Sequence, residues 1–381
     1  MDQAFIPAIF MRGGSSKGVF FHARDLPADR AKLDAIFLAV LGSPDPYGRQ
    51  LDGMGGGISS LSKAVIIGPP THPDADVDYL FAQVAVDKPV VDWSSNCGNL
   101  SSAVGPFAVD EGLVRVADGE ALVRIHQVNT KRIIHARFPV LGGKAVTAGD
   151  FSMAGVSGSG ARIRLDFLAP GGGATGGLLP TGNAQDTLHH EGRAYAVSLV
   201  DAANACAFFD ARDLGMTGTE SPDAIEADPA RMAVLDALRR KAGVMMGLAE
   251  TPEKIGLALP KIAVVASPAA YRALDGAAFA TDTHDIAARM ISMERAHRAV
   301  PLTGAMCLGV ASRIQGSVPH QLAGPPARAD ETRVANPSGI LSVGAEVRET
   351  AAGWQAESAV VYRSARRLMQ GAVALLAALG D

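Results

Sequence analysis

The chain predicts an α+β protein made of two homologous domains. Short β-branched runs outnumber stretches with helical spacing, a set of landmarks recurs in order in the second half, and 42 glycines with 22 prolines imply many tight turns. Residues 64–67, 84–86, 123–125 and 262–265 read as strands, and residues 6–10 form an apolar strand that leads into a glycine-rich turn. Residues 29–41 and 229–247 carry apolar positions at helical spacing.

The recurring landmarks carry most of the fold prediction. Phe20-Phe21-His22-Ala23-Arg24-Asp25-Leu26 returns as Phe208-Phe209-Asp210-Ala211-Arg212-Asp213-Leu214, an offset of 188. Lys63-Ala64-Val65-Ile66-Ile67 returns as Lys261-Ile262-Ala263-Val264-Val265, an offset of 198. Cys97-Gly98-Asn99-Leu100 matches Cys307-Leu308-Gly309-Val310 at 210, each read as a cysteine before a small-residue helix. Val128-Asn129-Thr130-Lys131 matches Ala335-Asn336-Pro337-Ser338 at 207. Conserved order with a drifting offset is what loop insertions in one of two copies produce, and the period is far too long for a solenoid.

A boundary is expected near 188–194, where Pro180-Thr181-Gly182-Asn183 and His189-His190-Glu191-Gly192 look like loops. The expected domains are 1–188 and 189–381, with the closing residues able to pack on the first. A pseudo-twofold pair of domains implies a cleft between them, the usual place for a ligand.

Hydrophobic residues at 48% and charged residues at 19% exclude a disordered chain. Lys plus Arg at 35 against Asp plus Glu at 39 leaves a net charge of −4, which argues against nucleic acid and anionic membranes as partners. No apolar stretch reaches the ~20 residues of a bilayer span, and Met1-Asp2 opens no basic leader, so a cytoplasmic protein is expected. Cys97, Cys206 and Cys307 are too few and scattered for a disulfide framework or zinc site. His189, His190 and His284 lack metal-ligand spacing, so no metal is expected.

Three segments carry candidate chemistry. In Asn96-Cys97-Gly98-Asn99-Leu100-Ser101-Ser102, a thiol precedes small residues able to start a helix. Helix-start amides attract anions and favour a thiolate, so the segment offers an acid or base beside a carboxylate cradle. The alternative is a cysteine buried as a small hydrophobe. Met11-Arg12-Gly13-Gly14-Ser15-Ser16-Lys17-Gly18 has the hydroxyls, exposable amides and cation of a carboxylate nest, but not the order of a nucleotide-binding loop. The alternative is a turn with a solvated Lys17. Leu51-Asp52-Gly53-Met54-Gly55-Gly56-Gly57-Ile58-Ser59-Ser60-Leu61-Ser62-Lys63 combines glycines that permit close backbone approach with a lysine entering an apolar strand. Desolvation makes such a lysine a base near neutrality. A snorkelling strand-end lysine is the alternative, and Lys261 is assigned that role. From the second half, His297-Arg298 and Thr303-Gly304-Ala305-Met306-Cys307 could close the cleft, while Cys206 reads as strand packing.

Together with Ser43-Pro44-Asp45-Pro46-Tyr47-Gly48, Asp76-Val77-Asp78-Tyr79-Leu80-Phe81, Val91-Asp92-Trp93-Ser94-Ser95-Asn96, Leu179-Pro180-Thr181-Gly182-Asn183 and Ser364-Ala365-Arg366-Arg367-Leu368-Met369, these segments make the sequence resemble the PrpF / methylitaconate isomerase family over nearly its whole length. The resemblance implies a diaminopimelate epimerase-like fold: two pseudo-twofold-related domains, each a β-barrel-like sheet around a central helix, with the active site in the interdomain cleft. It implies a cofactor-independent isomerase of small unsaturated di- or tricarboxylic acids. Its members act on 2-methylaconitate, methylitaconate or, as tautomerases, 4-oxalomesaconate.

By resemblance, Lys63 and Cys97 occupy the acid/base positions. Ser15, Ser16, Lys17, Gly55, Ser62, Asn96, Gly98, Asn99, Leu100, Thr303, Gly304 and Met306 are then the substrate-binding candidates. Asn336-Pro337-Ser338-Gly339 departs from the family's His-Pro-Ser-Gly. A homodimer and an aconitase-like enzyme are the partners to consider. Two rivals remain: a racemase or epimerase using Cys97 and Cys307 as a thiol pair, disfavoured by Leu308 after the second cysteine, and a non-catalytic accessory protein of an aconitase-like enzyme.

Overall fold

The computed structural model describes residues 3–376 except 95, 154, 293 and 327, so Ser95 of the 91–99 run lies outside the described residues. The chain divides into two compact units, residues 1–166 with 362–381, and residues 167–361. Among the described residues no helix is long and apolar enough to cross a membrane.

In unit 1, β1 (Gln3–Gly13) and β2 (Ser16–His22) form an antiparallel hairpin. The chain then crosses through α1 (Arg30–Leu41) to β3 (Lys63–Gly68), which lies parallel to β2. Helix α1 starts where the Asp29 side chain accepts the Lys32 amide and stops at left-handed Gly42, φ 72°. Strand β4 (Val77–Val84) is antiparallel to β3. After α2 (Ser101–Asp110), β5 (Gly119–Gln127) runs parallel to β4, and β6 (Arg132–Leu141) turns back on β5.

Both faces of this sheet are covered, which is why β2 and β3 read as continuous apolar runs rather than alternating ones. Phe20 packs on Phe107 of α2 and its neighbour Phe21 stacks on Phe37 of α1, each at 5.6 Å. Helix α2 buries nine of its ten residues and touches β1 on one side of the sheet's strand order and β5 and β6 on the other. A helix apolar all round needs such an enclosure, and the sheet curls about it as a barrel. Gly105 permits the contact: a Cβ there would lie 3.1 Å from Ala136 Cβ and 3.3 Å from Phe138 Cζ.

Unit 2 repeats the plan. Strands β7 (Asp186–His190), β8 (Arg193–Asp201) and β9 (Ala205–Asp210) are antiparallel neighbours. Helix α3 (Pro229–Met245) leads to β10 (Lys261–Ala266), parallel to β9. Strand β11 (Ile286–Ser292) is antiparallel to β10, and α4 (Leu302–Ala311) follows. Then β12 (Thr332–Asn336) runs parallel to β11 and β13 (Gly339–Thr350) antiparallel to β12. The chain returns to unit 1 with β14 (Ala365–Leu376), antiparallel to β1 as β7 is to β8.

The registers reproduce the two expected offsets. Phe20 pairs with Val65 and Phe208 with Ala263, which is 188 residues on in one strand and 198 in the other. An ion pair is duplicated as well. Arg124 donates its amide and guanidinium to Asp76, with Nη2 to Oδ1 at 2.6 Å, and Arg333 does the same to Asp285 at 2.8 Å.

Three expectations are corrected. Strand 84–86 ends at Val84, where its amide turns to the Ser62 carbonyl. Residues 189–192 are no loop: Glu191 and Gly192, φ 48° and 74°, form the two-residue turn of the β7–β8 hairpin, which runs through the expected 188/189 boundary. The fourth landmark is displaced by two residues, because Gln127 and Asn336 end the equivalent strands β5 and β12.

Candidate active site

The residue at the centre of unit 1 is Cys97, just ahead of α2. Its carbonyl accepts the Tyr79 hydroxyl (3.3 Å), the Ser101 hydroxyl (3.0 Å) and the Ser101 amide (3.0 Å), so the backbone beneath the thiol is locked. Burial pushes the Tyr79 phenol well above its ordinary pKa, which keeps it a donor. The thiol is buried, accepts the Leu100 amide at 3.5 Å and reaches Ser16 Oγ at 4.0 Å. Asn96 Oδ1 accepts from Ser101 Oγ at 3.5 Å.

The β1–β2 hairpin tip rests directly on this loop. Gly13 pairs with Ser16 across a two-residue turn, Gly14-Ser15. Gly14 is left-handed at φ 52°, and a Cβ there would lie 3.1 Å from Arg363 Cδ, so only glycine fits. Arg12 clamps the tip through Nη1 to the Gly14 and Ser364 carbonyls, both 2.9 Å, and Nη2 to Ser364 Oγ, 3.1 Å. Asn99 donates Nδ2 to Ser15 Oγ at 3.2 Å and accepts Arg363 Nε on Oδ1 at 3.0 Å. Among the described residues, the amides of Ser15, Gly98 and Asn99 face no acceptor.

Arg363 is a functional candidate that sequence reasoning missed. It is buried, and desolvation brings its pKa down to about 10, opposed by the Cys97 side chain. It therefore remains a cation at neutral pH, held beside the thiol. The signal was adjacency alone, since Arg363 immediately precedes Ser364-Ala365-Arg366-Arg367.

Lys63 opens β3, buried, with Nζ bonded to Oε1 of its cross-strand partner Gln83 and 5.0 Å from the Phe81 ring centre. Gln83 is anchored in turn on the Ser62 and Ser59 carbonyls. Gly18 joins lysine and thiol loop through β2. A Cβ at that position would meet the Lys63 carbonyl at 2.9 Å and Leu100 Cδ1 at 3.0 Å. Lys63 and the Cys97 loop thus pack on the same strand.

Other candidates lie apart from this cluster. Ser62 Oγ donates to the Val84 carbonyl (2.9 Å) and accepts from Gln50 Nε2 (2.7 Å), so its hydroxyl is engaged internally. Gly55 bonds the Leu41 carbonyl at 3.3 Å and packs on buried Gln50, which also accepts the Gly57 amide at 3.0 Å. The close approach permitted by the glycine run is to Gln50. Lys17 is half-buried, with Nζ 5.5 Å from the Phe10 ring centre.

Within unit 2, Thr303 Oγ1 accepts from Asn204 Nδ2 at 3.3 Å, Gly304 packs on Met290, and Met306 is buried. Arg298 is paired with Asp223 at 2.9 Å, and exposed His297 accepts the Ala299 amide at 3.1 Å. The expectation that Cys307 precedes a helix is wrong. Helix α4 starts right after Pro301, so Cys307 sits inside it, fully buried, donating to the Val200 carbonyl at 3.4 Å. Burial and neighbouring Cys206 push its pKa well up, the opposite of what a thiol-pair base requires.

Comparisons with known proteins agree with this architecture. The family profile described as PrpF protein matches residues 3–376. A 3-methylitaconate isomerase of Eubacterium barkeri is 41% identical over 98% of this chain and 97% of its own, and a 2-methyl-aconitate isomerase of Cupriavidus necator is 41% identical over 97% of each. The crystal structure of a methylitaconate-delta-isomerase superposes with a TM-score of 0.93 at 40% identity, covering all of this chain and 98% of that one. A match this long, in sequence and in the path of the backbone, means that the chain belongs to the PrpF family.

Proposed function

We propose that this PrpF-family isomerase moves a double bond, or exchanges cis and trans geometry, in an unsaturated di- or tricarboxylic acid of the methylaconitate or methylitaconate type, with Lys63 and Cys97 as its acid–base pair. The observation that carries the reading is the convergence on β2 of a buried lysine, a buried thiol and three unclaimed amides. One of the pair removes an allylic proton, leaving a dienolate whose charge resides on a carboxylate. A proton returned at the far carbon shifts the double bond, and rotation before return exchanges geometry. The molecular formula is unchanged, so no oxidant or reductant takes part.

The amides of Ser15, Gly98 and Asn99, with the Ser16 hydroxyl, hold the developing charge, and Arg363 fixes Asn99 and supplies the nearby cation. Three buried, unpaired thiols suit a reducing compartment, and we place the enzyme in the cytoplasm. The test is a substrate panel of 2-methylaconitate, methylitaconate, trans-aconitate and 4-oxalomesaconate followed by proton NMR in D2O. Conversion with deuterium gained at the allylic carbon is expected. Folded protein that converts none of the four would end the isomerase reading, and conversion of oxalomesaconate alone would make it a tautomerase.

A further inference from the structure

The amine of Lys63 is held by a single neighbour. Among the described residues its Nζ makes one hydrogen bond, to Oε1 of Gln83 directly across the β3–β4 pair, and no ion pair. The ring of Phe81, two residues before Gln83 and therefore on the same face of β4, is the other group against it.

Gln83 can present only its oxygen to the lysine. Its Nε2 donates to the Ser62 carbonyl at 2.8 Å and to the Ser59 carbonyl at 3.1 Å, which occupies both amide hydrogens. A flipped amide would set its oxygen against two carbonyl oxygens. The turn Ser59–Leu61 that carries one of these carbonyls is followed by Ser62, whose hydroxyl is itself bonded to the Val84 carbonyl and to Gln50. From Gln50 to Lys63 the network is built of amides, a hydroxyl and carbonyls, with no carboxylate in it.

We infer that Gln83 is the positioning residue of Lys63, a fixed acceptor that aims the amine through both halves of its proton cycle. The inference rests on the acid–base reading above. A lysine that takes up a proton and returns it alternates between amine and ammonium, and both forms donate N–H. A neutral amide oxygen accepts from either, so Nζ keeps its place while its charge changes, and Gln83 itself neither gains nor loses a proton. With one N–H pinned, the rest of Nζ, a lone pair in the amine and a proton in the ammonium, is left for the substrate. A carboxylate at 83 would favour the ammonium over the amine, and an apolar side chain would leave the amine to swing on its flexible four-carbon stem. Unit 2 lacks such a fixed acceptor, because Lys261 bonds the hydroxyl of Ser292 at 2.9 Å, a rotor that accepts or donates.

The test uses the full chain and whichever acid of the panel it converts. Gln83→Met, of similar length but without the amide, should lower kcat by ~10- to 100-fold, the cost of a misplaced reacting group, and leave KM within about two-fold. Gln83→Asn keeps the amide but withdraws it by one methylene, and should lower kcat in the same way in a variant that keeps its polar network. In a Lys63→Ala background, Gln83→Met should cost no further kcat, since a residue that acts through Lys63 has nothing left to position. Losses that multiply in the double variant, or wild-type kcat in both single variants, would overturn the inference and leave the acid–base reading standing. Full activity of Lys63→Ala would overturn that reading and this inference with it.

Discussion

Units 1 and 2 share strand order, pairing sense, register and an Asp–Arg ion pair, yet only unit 1 presents a thiol at a helix start. Lys63 and Lys261 occupy the same place, each bonded to its cross-strand neighbour, Gln83 in one case and Ser292 at 2.9 Å in the other. What differs is the loop before the central helix. In unit 1 the segment 96–100 rests on a two-residue glycine hairpin and on Arg363. In unit 2 the helix begins straight after Pro301, and its cysteine is packing material. Duplication kept what holds the barrel together and let the two mouths diverge, since core registers are specified by many contacts and a loop by few.

The largest effect tests that asymmetry. Lys63→Ala and Cys97→Ala should each lower kcat by at least ~10²-fold, the usual loss for a general acid or base, whereas Lys261→Ala should leave most of the turnover. Equal losses at the two lysines would mean that both halves share the proton chemistry.

Arg363→Gln comes next, because it removes a charged hydrogen bond worth ~1.5–3 kcal/mol from Asn99 and a cation from beside the thiol. A fall in kcat of about ten-fold or more is expected, with slower alkylation of Cys97 by iodoacetamide, and Arg363→Lys should recover part of both. Lost thermal stability with an unchanged alkylation rate would reduce Arg363 to a structural role.

Small dicarboxylates supply a finer probe. Malonate should inhibit competitively and raise the melting temperature, because a ligand bound only to the folded state stabilises it by mass action. Ser16→Ala should weaken malonate binding by about ten-fold. Identical calorimetric affinities would remove Ser16 from the cradle and leave the lysine and thiol in place.

The smallest effect concerns the duplicated ion pair. Burial would raise the Asp76 pKa, but hydrogen bonds and charge from Arg124 outweigh it and hold the carboxyl below its ordinary value. A depressed folded-state pKa contributes stability that is present above the unfolded value of about 4 and lost as pH falls through the folded one. Asp76→Asn should therefore lower the melting temperature at pH 7, and the gap should close in acid. Asp285, with 2% of its side chain exposed against 22% for Asp76, should be the costlier replacement. The reverse order in thermal melts would show that the two pairs are not doing the same job.

Much of this was legible locally. The repeated aromatic and lysine-led strands, read 188 and 198 residues apart, are the strands that pair in each unit, because an apolar run marks a strand covered on both faces wherever it occurs. The thiol ahead of small residues marked a helix start, and the glycine-rich run after residues 6–10 marked the turn in which Gly14 is left-handed. Composition and periodicity indicated the class, repeated segments indicated the duplication, and two local motifs offered a candidate acid and base that the family resemblance paired.

Tertiary structure alone decided the rest. Arg363 meets Asn99 across 264 residues of chain, a contact that no local pattern encodes. The glycine run 55–57 closes on Gln50, a partner set by how α1 and β3 pack. Cys307 had the same neighbours in sequence whether before a helix or within it, and the start of α4 after Pro301 put it in the core. Short-range sterics and hydrophobic periodicity are written residue by residue, whereas which polar groups meet depends on the path of the whole chain.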